Sequence, residues 1–410
     1  MSCAGTMSAS PGSANGRGRR VLILVENLTV PFDRRVWLES KALTEAGWSV
    51  SVICPKGPPW NASYEELEGV AIHRYDPPPP AKGALSYVWE FAYCWLQTAR
   101  LSFAVAGRRG FDVIHACNPP DTFFLIGAFY KLFGVKFLFD QHDLSPEVYV
   151  SRFGKEGFWY QGLRLLERLT YATADVVIAT NESYKETAQR RGGLAPEDVI
   201  VVRSGPETGR FVGMTPDPAL KRGRKFLVAY LGVMAPQDGV DYLLRAAREL
   251  IATRGARDVS FTLIGSGDSY DDLVQLTKEL GLEDVVEFTG RIPDAGVEAI
   301  LSTADVCVGP DPKNPLNDVS TMNKILEYMA LGRPIVAFDL RETRYSAGEG
   351  ALYARPNEVT DLAARIDELL RDPARRAAMG EYNRRRFQDG MAWDYSRVRL
   401  LEAYERIGTR

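Results

Sequence analysis

STMNKILEYMALGRPIVAFD, residues 320–339, reads as one full unit of an α/β wind. Small polar residues open a helix, Gly332 stops it, and Pro334 leads into PIVAFD, a strand without polar alternation. Such a strand is buried on both faces, as in a parallel sheet covered by helices. Packing explains most of the helix, but not the carboxylate in its middle, Glu327.

The same pattern repeats on both sides. Upstream strands are predicted at VLILVE (21–26), SVSVIC (49–54), VAIHRY (70–75), DVIHA (112–116), KFLFD (136–140), DVVIAT (175–180) and DVIVV (198–202). A turn-rich stretch, 203–224, interrupts the series. The pattern then restarts with FLVAYLG (226–232), VSFTLIG (259–265), VVEFTG (285–290), DVCVGP (305–310), PIVAFD (334–339) and ALYA (351–354). The fold expected is α/β, with two Rossmann-like doubly wound parallel-sheet domains facing across a cleft. The first domain is expected over 20–205 and the second over 206–385, with a C-terminal helix over 386–410 crossing back to the first. Residues 1–19 are Ser/Gly/Ala-rich with no apolar core run, so they read as a disordered tail, not a secretory signal.

The totals agree with this division. A chain of 410 residues exceeds one ordinary core. A formal charge of −3 gives no reason to expect nucleic acid. Five scattered cysteines without a CxxC pair suit a reducing, cytoplasmic setting, and three dispersed histidines do not make a metal site.

In a doubly wound sheet, ligands sit beyond the carboxyl ends of the strands. In the second domain those ends read LGVMAPQDG, IGSGDS, TGR and GPDPKNPLND, rich in glycine and close to helix starts, which suits phosphate. The first strand of the chain leads into ENLTVPFDRR instead of G-x-G-x-x-G, which argues against a nicotinamide dehydrogenase.

PFDRRVWLESKALTEAGWSVSVICP, DVIHA, LFDQHDLSPEVY, YLGVMAPQDGVDYLLRA, FTLIGSGD, VEFTGRIP and STMNKILEYMALGRPIVAFD occur in an order and spacing that resemble the retaining, GT-B-fold glycosyltransferases of family 4. The resemblance covers nearly the whole chain. It implies transfer of a sugar from a nucleotide diphosphate, with a UDP-sugar as the expected donor, and no metal or other cofactor. Acceptors in the family include glycans, lipid-linked sugars and small molecules.

The resemblance also assigns roles. Glu327 takes the two ribose hydroxyls, which suits the two oxygens of a carboxylate. Read without the resemblance, Glu327 is a helix-surface carboxylate paired with Lys324. Ser320, Thr321, Met322 and Asn323 aim backbone N–H groups at the diphosphate, with Lys324 adding charge. His142 lies by the transferred sugar, and His115 and Asn118 line the wall beside it. Gly232, Val233 and Gly265 belong to the donor loops, and Arg291 and Ile292 meet the base. Two departures stand out. Many members carry an Arg after the glycine of the first donor-domain strand and a Lys before the next glycine. Those places are Val233 and Asp238 here, and a sugar-binding Glu of the family is Val319. Arg291, Lys324 and Arg34 or Arg35 are the cations left to supply the charge, and backbone around Asn317, Asp318 and Val319 is left to hold the sugar.

The stretch SYVWEFAYCWLQTARLSFAVAGRR (86–109) is the most apolar helix of the first domain. Its internal charges argue against a membrane span. It reads either as a core helix or as an interfacial one beside Arg108 and Arg109, touching the inner face of a membrane and serving a lipid-linked acceptor. Two other readings keep the fold: a nucleotide-sugar epimerase, or a weakened member that binds nucleotide and partners another transferase.

Overall fold

The computed structural model describes residues 19–78, 84–211, 215–254 and 257–409. The expected tail lies outside these residues except for Arg19. The strands are β1 (Arg20–Leu24), β2 (Ser49–Pro55), β3 (Tyr64–Leu67), β4 (Val70–Tyr75), β5 (Val113–Cys117), β6 (Lys136–Gln141), β7 (Val176–Ala179) and β8 (Val199–Val201). They form one sheet in the order β3-β4-β2-β1-β5-β6-β7-β8. A second sheet holds β9 (Phe226–Leu231), β10 (Val259–Ile264), β11 (Val286–Gly290), β12 (Val306–Gly309), β13 (Ile335–Phe338) and β14 (Ala351–Ala354), in the order β11-β10-β9-β12-β13-β14. The helices are α1 (Arg34–Glu45), α2 (Ala84–Arg108), α3 (Phe124–Lys131), α4 (Ser145–Phe153), α5 (Phe158–Thr173), α6 (Glu182–Gly192) and α7 (Val240–Arg254). They continue with α8 (Tyr270–Glu279), α9 (Asp294–Thr303), α10 (Asn323–Ala330), α11 (Arg341–Ala347), α12 (Val359–Arg371), α13 (Pro373–Gln388) and α14 (Trp393–Gly408).

All the predicted strands form. Their β-branched runs bury on both faces: β2 from Val50 to Pro55, β9 from Phe226 to Tyr230, and β10 throughout are inaccessible. Sequence reading missed β3, which pairs antiparallel to β4 at the sheet edge. Its residues YEEL lack the apolar run that marks the buried strands.

By internal contacts the chain divides into two compact units: Met1–Ala116 with Leu125–Phe137, and Cys117–Phe124 with Leu138–Arg410. In the first unit, α2 buries Cys94, Thr98, Ser102 and Val105, a stripe of small residues at helical spacing. Its large side chains Trp89, Phe91, Leu96 and Phe103 are exposed. The helix thus packs on β2 and β4, as the core-helix reading expects, and leaves these four large side chains on its exposed surface. None of the described helices is long and apolar enough to cross a membrane.

In the second unit, the last stretch forms two helices, α13 and α14, separated at Asp389–Ala392. α14 packs on β7 and β8. Arg406 binds Asp198 at 2.9 Å, and Ser396 Oγ accepts from Arg203 N at 3.1 Å.

Candidate functional site

The loops after β9, β10 and β11 of the second unit are laced together by backbone. Gly232 N donates to Ile264 O and Gly265 N to Gly290 O, both at 3.0 Å. Met234 N donates to Ser266 O at 3.2 Å. Gly265 has φ +130°, and a Cβ there would stand 1.9 Å from Gly232 O. Only glycine permits this approach, so the loops after β9 and β10 meet at their narrowest point. Val233 is exposed beside them.

Residues 317–319 form a single 3-10 turn before α10, and the helix proper begins at Asn323. The expected helix start at Ser320 is therefore three residues early. Met322 caps the helix without a side-chain hydrogen bond. The backbone N–H groups of the first turn have no acceptor inside the helix, as at every helix N-terminus. Asn317 donates from Nδ2 to Gln237 O (2.9 Å) and Pro312 O (2.8 Å), and Asp318 Oδ1 accepts from Arg341 N (2.9 Å). These two side chains hold the loop.

Lys324 is the second residue of α10, not one turn in, and it is buried. Its ammonium lies 2.5 Å from Asp311 Oδ1 and 3.7 Å from Asp238 Oδ1, over the ring of Tyr230. Burial pulls this ammonium down, but the two carboxylates outweigh it and leave its pKa raised. Burial raises the Asp238 carboxyl despite the lysine. Unlike a surface pair, this ammonium is buried against two carboxylates that are themselves largely buried. Lys324, expected to supply charge to a diphosphate, is held here by Asp311 and Asp238. Arg35 is held in a similar way: it is buried in the first unit, 3.2 Å from Glu39. Arg34 and Arg291 are exposed.

Glu327 stands on the second turn of α10, half-buried. Arg210 Nη1 donates to Glu327 Oε1 at 3.3 Å, and Arg210 Nη2 lies 3.4 Å from Asp294 Oδ2. Sequence reading missed Arg210. It lies in the turn-rich stretch, 117 residues from its partner, and no local pattern marks it. Ile292 packs at the margin of the core beneath this corner.

His142 follows β6. Its ring Nε2 is 2.5 Å from Oδ2 of Asp140, which is fully buried. Its backbone N–H donates to Asn118 Oδ1 at 2.7 Å. Asn118 also accepts from Asp143 N (3.2 Å) and donates from Nδ2 to Asp143 O (2.8 Å) and Asp121 Oδ1 (3.0 Å). Asn118 is thus a buried strut that shapes the His142 loop, not an exposed wall residue. Burial pushes the Asp143 carboxyl up. His115 is fully buried, 3.6 Å from Glu39.

Two further residues reach the loop before α10. Asn181 caps α6 by accepting from Tyr184 N at 2.8 Å. Its Nδ2 donates to Val319 O (2.9 Å) and Thr321 Oγ1 (3.1 Å), and the hydroxyls of Tyr184 and Ser320 are 2.9 Å apart. The capping pattern of Asn181 is legible in the sequence. Its second use, 138 residues away, is not.

Comparison with known proteins bears on this arrangement. Residues 33–205 match the family described as Glycosyl transferase 4-like domain, and residues 225–372 match Glycosyl transferases group 1. The chain is 26% identical over 320 residues to the MMP alpha-(1->4)-mannosyltransferase of Mycolicibacterium hassiacum, spanning 76% of this chain and 74% of that protein. Its fold is similar to that of the sucrose-phosphate synthase of Thermosynechococcus elongatus, with a TM-score of 0.74, 19% identity, and coverage of 95% of this chain and 99% of that one. HepE of Anabaena, solved in complex with UDP and glucose, matches with a TM-score of 0.71, 17% identity, and coverage of 94% and 99%.

Proposed function

Because the chain belongs to the family 4 glycosyltransferases and has their GT-B fold, we propose that it moves a sugar from a nucleotide diphosphate to an acceptor with retention at the anomeric carbon. The observation that carries this reading is the position of Glu327. It is four residues past the start of α10, so its carboxylate stands about 6 Å along the helix from the N–H groups of the first turn. A nucleotide laid along the helix meets phosphate-binding N–H groups and then a diol-binding carboxylate. A UDP-sugar is the first donor to test, since HepE was solved with UDP.

In this reading the bond from the anomeric carbon to the phosphate oxygen breaks, and the acceptor oxygen bonds to the same face. The acceptor proton leaves on the departing phosphate. Catalysis rests on positioning and on stabilising the charge of the leaving group. A thermal-shift screen with UDP, GDP, dTDP and ADP tests the donor side. One of them should stabilise the wild type, by about 2.7 kcal/mol at a hundred times its Kd. Glu327→Ala should lose that gain. If none of the four raises the midpoint at saturating concentration, the chain is a nucleotide-independent relative instead.

On the acceptor side, we place the first unit against an anionic lipid surface. Trp89, Phe91, Leu96 and Phe103 of α2 are exposed, as are Leu125 and Phe129 of α3 and the adjoining Leu132 and Phe133. The rings of Phe103 and Phe129 lie 5.5 Å apart, so the two helices present one apolar face. Arg100 and Arg108 on α2 are exposed beside it, the pairing of apolar and basic groups that an interfacial helix uses. The chain should co-sediment with vesicles containing anionic lipid and less well with neutral ones. Phe103→Ser with Phe129→Ser should abolish this. Equal recovery of wild type and double variant would refute the surface.

A further inference from the structure

The donor reading needs positive charge, and of its expected cations Lys324 and Arg35 are buried against carboxylates, which leaves Arg34 and Arg291. A nucleotide diphosphate carries at least two negative charges, Val233 and Asp238 stand where a family Arg and Lys are expected, and Lys324 is occupied by Asp311 and Asp238. We propose that Arg210 also supplies positive charge: a donor-binding residue that keeps one hand on Glu327 and exchanges Asp294 for a phosphate oxygen of the donor. This rests on the donor reading above.

Four observations carry it. Arg210 is a cation in direct contact with the carboxylate assigned to the ribose, at 3.3 Å. Its guanidinium lies 4.8 Å from the ring centre of Phe211, which packs against the core and so fixes the direction of the side chain. Its second contact, Asp294 at 3.4 Å, is to a carboxylate whose side chain is 58% exposed. An exposed partner at that distance is a weak one, worth less than about 1 kcal/mol. Charge-assisted bonds from guanidinium to phosphate are shorter and can be bidentate, so a phosphate oxygen displaces Asp294 readily. The fourth is reach: the first turn of α10, where phosphate is expected, lies one helical turn from Glu327, within the span of a guanidinium anchored there.

A merely structural Arg210 would only bridge Glu327 and Asp294, and its loss would change nucleotide binding little. The test separates these roles with UDP and uridine, which share base and ribose but not phosphate; if the screen selects another diphosphate, that nucleotide and its nucleoside replace them. Affinities are measured by calorimetry on wild type, Arg210→Ala and Arg210→Lys. The expected result is a loss of tenfold or more for UDP with Arg210→Ala and of twofold or less for uridine, with Arg210→Lys between wild type and Ala for UDP. Equal losses for both ligands would mean that Arg210 only orients Glu327, and would overturn the phosphate role. Unchanged affinities would overturn the proposal outright. If wild type binds none of the diphosphates, the donor reading itself has failed and takes this one with it. If wild type binds UDP and Arg210→Ala binds it equally, the donor reading stands and only this inference falls.

Discussion

Lys324→Met is expected to destabilise the protein by about 3–5 kcal/mol, read as a shift of the urea midpoint at pH 8. The ammonium sits between Asp311, which is almost wholly buried, and Asp238. Methionine fills the space of the stem but removes the counter-charge. Two carboxylates then face each other without a cation and must take up protons to remain inside. Their pKa values rise in the folded state, so the variant binds more protons folded than unfolded. Its deficit is therefore largest at pH 8 and shrinks as the pH falls toward 5. Adding Asp311→Asn should recover part of the loss. A deficit below about 1 kcal/mol at pH 8 would show that the triad is solvated and that Lys324 is available to a ligand after all. The triad also touches the donor loop: a Cβ on Gly232 would stand 3.1 Å from Lys324 Cε. Destabilisation should therefore come with weaker nucleotide binding.

His142→Ala is expected to lower turnover of the donor by about 10²–10³-fold with little change in thermal midpoint, within the range removed with a positioned catalytic group. Turnover is measured as nucleotide release, with water as acceptor, from a panel of sugars linked to the nucleotide that the screen selects. The imidazole is held from two sides. His142 Nε2 lies 2.5 Å from Oδ2 of buried Asp140, and Asn118 Oδ1 accepts the backbone N–H. A carboxylate at Asp140 would favour the tautomer protonated at Nε2, with the ring partly open to solvent. Asp140→Asn keeps the shape but removes the charge that favours this tautomer. It should lower kcat less than His142→Ala does and shift the pH profile. If His142→Ala turns over donor within twofold of wild type, His142 is a loop residue held by Asp140, and the reacting groups lie elsewhere.

The alternation of buried strands and helices was legible because most strands are short local runs of apolar residues, many of them β-branched, and burial on both faces needs no partner to be read. The glycines at 232 and 265 were legible as turns, though what they avoid is a backbone oxygen from a neighbouring strand end. Glu327 and His142 were found through a family likeness carried by motif order, and their partners were not found at all. A partner is set by where the chain returns, and the sequence carries no local trace of that. The tertiary structure alone brought Arg210 to Glu327 across 117 residues and Asn181 to Val319 across 138. It also decided that Lys324 faces two carboxylates and that α2 turns its aromatic side outward. The sequence by itself determined which segments become buried strands and helices, because period and side-chain type act over a few residues. The tertiary structure decided which charges meet, because Coulomb and hydrogen-bond energies depend on distances in space that separation along the chain does not fix.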